Sequence, residues 1–265
     1  MEIEMDVSLD PTLGCGQAHR WKKVDGAWKG VIGQDRIELV QTGNGFLFKG
    51  TTREKILDYF RHGDDLSSIM DEISSKDAHV AKLATSCPGM RILRQDPWEC
   101  TATYILATNA NVKRISKMVE SVCDRYGTDL GGVCSFPTPK QILNGCETIE
   151  ECRLGYRADR FVEFAQKTED GEYDLESLRE LDYQDCITEL QRVSGIGPKV
   201  ADCVALFAYG HLESFPVDAR ISRVMRDIYG VDGNYKRTAE AGRAMFGRYA
   251  GYAQELLYHS MDILY

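Results

Sequence analysis

No apolar run in this chain approaches the roughly 18 residues needed to cross a bilayer, and the leading Met1-Glu-Ile-Glu-Met-Asp is acidic where a secretory signal would be basic. A protein that stays inside the cell is expected. Its nine cysteines form no Cys-x-x-Cys pair, which excludes the common metal-cage spacings and points to reduced, mostly buried thiols in a reducing compartment. No metal and no cofactor is expected. Positive charge is scarce as well: 32 Lys and Arg stand against 41 Asp and Glu, a net charge of -9. Such a balance argues against a nucleic-acid partner, because neutralising phosphates takes Lys and Arg. The deficit, however, is local. Glu169, Asp170, Glu172, Asp174, Glu176, Glu180, Asp182, Asp185 and Glu189 face Arg179 alone, and outside that segment the chain is close to neutral. The segment reads as a solvated acidic face turned away from any phosphate backbone.

What is present is 265 residues, 43% of them hydrophobic and 28% charged, enough for one large core or two smaller ones. Residues 27–33, 36–42 and 45–51 are short apolar or alternating stretches parted by Gly-Gln-Asp and Gly-Asn-Gly, the punctuation of an antiparallel meander. Helical spacing with polar starts follows over 52–60, 64–74 and 77–85. Beyond residue 97 only helices are predicted, over 97–107, 111–126, 157–167, 183–193, 199–209, 219–229 and 249–264. The fold class is therefore α+β. An N-terminal antiparallel β-sheet with helices occupies residues 1–95 and joins, without a flexible linker, an all-helical region over 96–265.

The densest signal lies between residues 190 and 218. Gly195 and Gly197 flank Ile196 between two helical patterns, so the chain can turn tightly and bring backbone amides against a ligand such as a phosphate. Pro198 suits the first position of the next helix, which puts Lys199 in its first turn, where the helix dipole disfavours an extra proton. Burial there would push its pKa down further. Lys199 is thus a candidate nucleophile. Asp218 follows the extended Phe215-Pro216-Val217 and precedes an amphipathic run, so it reads as a helix N-cap. Cys203 is four residues from Lys199, and Gln254 and Tyr258 are four apart on the last helix, so each pair shares a face.

Gly-Ile-Gly-Pro-Lys199-Val-Ala-Asp-Cys203 followed by Pro216-Val-Asp218 resembles the helix-hairpin-helix signature of the Gly/Pro-Asp DNA glycosylase superfamily. The resemblance to eukaryotic-type 8-oxoguanine DNA glycosylases is closer still. It extends to Cys15-Gly16-Gln17 with Arg20-Trp21, to Leu93-Arg-Gln-Asp-Pro-Trp-Glu-Cys100, to Thr108-Asn-Ala-Asn111 with Arg114-Ile115, to Leu154-Gly-Tyr-Arg-Ala158, and to Tyr249-Ala-Gly-Tyr-Ala-Gln254 with Tyr258. Six motifs in the same order span nearly the whole chain. No cysteine follows Cys203, so the iron-sulfur loop of the endonuclease III and adenine glycosylase branches is missing.

The resemblance implies a bifunctional DNA glycosylase and AP lyase that excises 8-oxoguanine opposite cytosine from double-stranded DNA in base excision repair, as a monomer, in the nucleoid or the nucleus. It implies that Lys199 attacks C1′ while Asp218 stabilises the positive charge developing on the sugar. The Gly16 carbonyl would read the hydrogen that N7 carries only in the oxidised base, Gln254 would pair with the base edge, Cys203 and Tyr258 would sandwich the ring, and Pro216 would touch the base. On the DNA, Asn109 would fill the vacated space, Tyr156 would wedge beside the partner base, and Arg114 and Arg157 would hold the estranged cytosine. Gly195, Gly197 and Arg220 would meet phosphate. The sequence departs from the family pattern at Ala110 (often Asn), Tyr258 (more often Phe) and Arg220 (often His); the last keeps a phosphate contact but loses any proton-shuttling role. Two alternatives remain open, a glycosylase for alkylated or other oxidised purines and a non-catalytic DNA-damage-binding scaffold.

Overall fold

The structure, a computed structural model, describes residues 1–264, with side chains through residue 259. Strands β1 (Glu2–Glu4), β2 (Lys22–Val24), β3 (Ala27–Ile32), β4 (Asp35–Thr42) and β5 (Gly45–Lys49) form one antiparallel sheet in the order β1-β5-β4-β3-β2. The three longer strands are the predicted meander. Their register sets Leu39 opposite both Trp28 and Phe48, so these side chains share the buried face. Val40 and Leu47 are paired on the other face and exposed. The two short strands lie outside the sequence expectation, since three residues are too few for alternation to register. Strand β1 can lie against β5 because residue 45 is glycine: a Cβ there would stand 2.0 Å from the Ile3 carbonyl oxygen.

Helix α1 (Leu9–Gly14) links β1 to β2. The helices that follow start at side-chain caps, each accepting from the backbone N–H three residues on. Thr52, Asp65 and Asp77 begin α2 (Arg53–Tyr59), α3 (Leu66–Lys76) and α4 (Ala78–Ser86). Asp96 and Asn111 begin α5 (Pro97–Leu106) and α6 (Val112–Tyr126). Then come α7 (Pro139–Leu143), α8 (Ala158–Glu169), α9 (Tyr183–Leu190), α10 (Pro198–Val204), α11 (Ala219–Asp227), α12 (Tyr235–Phe246) and α13 (Ala250–Leu264). The helix expected over 199–209 is α10 continued by a π-helical turn through Ala205–Tyr209. Helix α12 was not expected. Its buried stripe includes Ala239 and Gly242, residues too small to mark an apolar face, and a Cβ at Gly242 would press on the Phe215 ring at 2.3 Å.

The apolar interior of the described residues falls into two clusters. The smaller packs the sheet against α1 and α2 through Ile3, Leu9, Phe46, Phe48, Ile56 and Phe60. The larger joins α5 to α13 and also takes in Cys15 and the apolar faces of α3 and α4. One buried glutamine fastens the two. Gln17 donates through Nε2 to the carbonyls of Thr12 (2.8 Å) and Arg91 (2.9 Å), accepts from the Leu93 N–H (2.9 Å), and its own carbonyl receives Gln95 Nε2 (2.6 Å). The segment carrying Gly16 is thereby held against the helical region.

Candidate active site

The hairpin between α9 and α10 is shaped by its glycines. Gly195 turns with φ 86°, and a Cβ there would meet the Arg160 side chain at 2.7 Å. Gly197 differs. It caps α10 in an extended conformation, it is exposed, and a Cβ would meet nothing within 4 Å. Nothing inside the protein demands glycine at 197, whereas close approach of an external backbone would. Pro198 occupies the first helical position and Lys199 the second, as the sequence implies.

Lys199 opens into a cavity of about 790 Å³, whose lining also includes Gly16, Cys203, Pro216, Asp218, Gln254 and Tyr258. The expected base-binding residues therefore converge with Lys199 and Asp218 although they come from four separate segments. Asp218 is a helix cap: its Oδ1 accepts from the Ile221 N–H of α11 at 2.8 Å. Gly16 has φ 94°. Gln254 is buried, and its Oε1 has no hydrogen-bond partner, so an acceptor faces the cavity unpaired. The Lys199 Nζ stands 5.2 Å from the Tyr104 ring centroid, and that ring stacks on Phe207. The Arg220 guanidinium lies 5.1 Å from the Tyr258 ring centroid at the cavity mouth.

The charge state of Lys199 requires a correction. Burial does depress its pKa, but Cys203, Asp218 and Glu255 favour the ammonium more strongly, and the net shift is upward. The resting lysine is therefore protonated at neutral pH, and a proton must leave before Nζ can attack. Cys203 remains a thiol, pushed up to about 11 chiefly by burial and held down by Lys199. Titratable side chains absent from the sequence reading also line the cavity, among them Tyr104, Tyr235, His19 and Glu255. His19 is pushed down to about 4 by burial and by the Lys199 charge, so its imidazole is neutral. Glu255 is buried and pushed up to about 7, mainly by loss of hydration, against a hydrogen bond with Cys15. Its signal in the sequence was an acid inside the apolar run Leu256-Leu257 and Tyr252-Ala253 of the last helix.

Away from the cavity floor, Asn109 takes a left-handed conformation, φ 51°, and its Nδ2 donates to the Tyr156 hydroxyl at 3.0 Å. Tyr156 is 53% exposed and donates in turn to the Thr108 carbonyl. Arg114 is exposed on the first turn of α6. Arg157 is not presented in the same way. It is 2% exposed and donates to the carbonyls of Thr108, Asn109 and Leu154, so in the free protein it clamps the Asn109 turn. None of the nine acids between Glu169 and Glu189 lines the cavity. A cleft of similar size beside the sheet, about 770 Å³, includes Asp10, Lys23 and Trp28. Their polar atoms already pair with one another there.

Residues 2–101 match the N-terminal domain of 8-oxoguanine DNA glycosylase, and residues 102–246 match the HhH-GPD superfamily of base excision DNA repair proteins. The chain is 31% identical to the N-glycosylase/DNA lyase OGG1 of Arabidopsis thaliana, over 96% of this chain and 77% of that protein. It is 32% identical to the N-glycosylase/DNA lyase of Saccharomyces cerevisiae, over 86% of this chain and 64% of the relative. The 8-oxoguanine glycosylase/lyase of Clostridium acetobutylicum, solved in complex with double-stranded DNA containing cytosine opposite 8-oxoG, superposes with a TM-score of 0.92 at 28% identity, over 98% of this chain and 93% of that one. The chain belongs to the 8-oxoguanine DNA glycosylase family, within the HhH-GPD superfamily of base excision DNA repair proteins.

Proposed function

We propose that this protein is a bifunctional DNA glycosylase and AP lyase that removes 8-oxoguanine paired with cytosine from duplex DNA. The observation that carries this reading is the convergence of Lys199, Asp218, Gly16 and Gln254 on one cavity large enough for a flipped purine. A purely structural helical hairpin has no use for a lysine and an unpaired glutamine carbonyl in the same pocket. The inferred site of action is inside the cell, on the chromosome.

The duplex backbone approaches the hairpin at Gly197, where no Cβ intervenes. Flipping the lesion costs a few kcal/mol, recovered in part as Asn109 and Tyr156 occupy the gap; Arg157, already clamped around the Asn109 turn, and exposed Arg114 then serve the estranged cytosine. Inside the cavity the Gly16 carbonyl accepts the N7 hydrogen of 8-oxoguanine. Guanine would set two acceptors against each other. Gln254 meets the base edge, Cys203 and Tyr258 cover its two faces, Pro216 adds an apolar contact, and Arg220 at the mouth meets a phosphate.

Once deprotonated, Lys199 Nζ forms a bond to C1′ as the C1′–N9 bond breaks, and the electron pair leaves with the purine. Asp218, fixed by its bond to the Ile221 N–H, opposes the positive charge on the sugar. The adduct opens to an imine, from which β-elimination nicks the strand. The test is excision and nicking of an 8-oxoguanine duplex set against guanine and alkylated-purine duplexes, with each of the four bases opposite the lesion. The proposal predicts turnover of 8-oxoguanine opposite cytosine with a nicked product; binding without excision would favour the scaffold alternative, and excision confined to alkylated purines the other.

A further inference from the structure

The mechanism leaves one buried acid of the cavity unused. Glu255 follows Gln254 on α13, lines the same cavity as Lys199, and is 5% exposed. The Cys15 thiol, which donates to the Thr12 carbonyl at 3.5 Å, lies beside its carboxyl group, and the Oε2 oxygen has no hydrogen-bond partner. A buried carboxylate oxygen left unpaired is costly to keep. Around it stand Cys15 from the end of α1, Lys199 and Cys203 from α10, Asp218 at the start of α11, and Tyr104 from α5. Lys199 is the one cation in that set, and it holds the proton that must be removed.

We propose that Glu255 accepts the proton that converts Lys199 from ammonium to amine when the flipped base closes the cavity. This rests on the lyase function proposed above. The other acceptors fit less well. Asp218 is engaged as a helix cap, His19, pushed down to about 4, is too weak a base, and Cys203 is already a thiol. In the open cavity water supports the charged pair; with the base inserted, loss of that water favours the neutral pair of amine and carboxylic acid. One proton moves from Nζ to the carboxylate. The Nζ lone pair then forms the C1′ bond, the C1′–N9 pair leaves with the purine, and the proton held by Glu255 neutralises the departing base. The carboxylate is restored and Nζ ends as a secondary ammonium, so charge and hydrogen balance. Glu255 thus reaches the sugar only through Lys199 and meets the substrate itself only at the departing base, to which it passes the proton.

The test is single-turnover excision of 8-oxoguanine opposite cytosine between pH 5.5 and 9 for the wild type, Glu255→Gln and Glu255→Asp. The wild-type rate should fall as pH drops through about 7, where the carboxylate protonates. Glu255→Gln keeps the size and removes the charge. It should be slower by about 100-fold at pH 7, with its logarithmic rate still climbing about one unit per pH unit up to pH 9, because the lysine must then lose its proton to solvent. Glu255→Asp should recover part of the rate and keep the acid limb. A wild-type rate flat between pH 6 and 8 would overturn the proposal whether or not the variants fold, as would a Glu255→Gln profile parallel to the wild type at every pH. Borohydride trapping of the wild type separates the two levels: an adduct with no effect at Glu255 sinks this proposal alone, and no adduct at all sinks the lyase function beneath it.

Discussion

Gly16→Ala tests how the cavity tells 8-oxoguanine from guanine. Space is not the obstacle, since a Cβ at residue 16 would meet only the Val112 Cγ2 at an ordinary 3.5 Å. The obstacle is the backbone. At φ 94° an alanine is strained by roughly 1–3 kcal/mol, and the strain is relieved by rotating the peptide, which swings the Gly16 carbonyl off its line to the base. Gln17 resists that rotation through its bonds to Thr12, Arg91, Leu93 and Gln95. If the peptide yields, one buried hydrogen bond is lost, about 1–3 kcal/mol, or roughly 5- to 150-fold in kcat/KM on 8-oxoguanine. Excision of guanine, which never used that bond, should not fall with it. The assay is competition between 8-oxoguanine and guanine duplexes under single-turnover conditions, with thermal unfolding measured in parallel. A variant that discriminates as well as the wild type at an unchanged Tm, with the strain therefore relaxed, would refute N7 reading by this carbonyl; a lower Tm with discrimination intact would show that the strain is held and the carbonyl stays in place.

Asp218→Asn should leave stability within about 1 kcal/mol, because Asn is an equally good N-cap, yet lower excision by roughly 100- to 1000-fold through loss of the charge facing the sugar; single-turnover kinetics with a Tm measurement separate the two effects. Arg157→Ala removes donors to three backbone carbonyls and should cost about 2–4 kcal/mol, read as a lowered urea midpoint with DNA absent; an unchanged midpoint would mean the clamp on the Asn109 turn is idle in solution. For Glu255 the folded pKa lies above the unfolded one, so charging it costs stability as pH rises from about 4.5 to about 7. Glu255→Gln should therefore raise Tm at pH 8 and leave it nearly unchanged at pH 4. Arg220→Ala should flatten the dependence of log affinity on log salt by about 0.9, a slope already shallow for a protein of net charge -9.

The parts of the fold that were legible are those where a single residue type has one good use. Gly-Asn-Gly could only be a turn, Pro198 could only start a helix, and Asp218 after Pro216-Val217 is a cap in both the sequence and the structure. Strand β1 and helix α12 were not legible because their packing is long-range: Gly45 admits Ile3 from 42 residues away, and Gly242 makes room for Phe215. Strand β2 pairs locally, with Val24 opposite Ala27, but its three residues are too few for alternation to register. The place of Lys199 in the cavity was legible but its protonation was not. Burial and the helix dipole both lower a lysine pKa, and the sign is reversed by Cys203 on the same helix together with Asp218 and Glu255, which arrive from α11 and α13. The same distance hid Gln17, whose partners lie 74 to 78 residues further along except for Thr12.

The central claim is that Lys199 becomes covalently joined to the sugar. Borohydride reduction during turnover on an 8-oxoguanine duplex, followed by peptide mass spectrometry of the trapped complex, tests it directly. The account predicts a single reduced adduct on Lys199, absent in Lys199→Gln and strongest with cytosine opposite the lesion. An adduct on another side chain, or excision that proceeds without any trappable adduct, would contradict it.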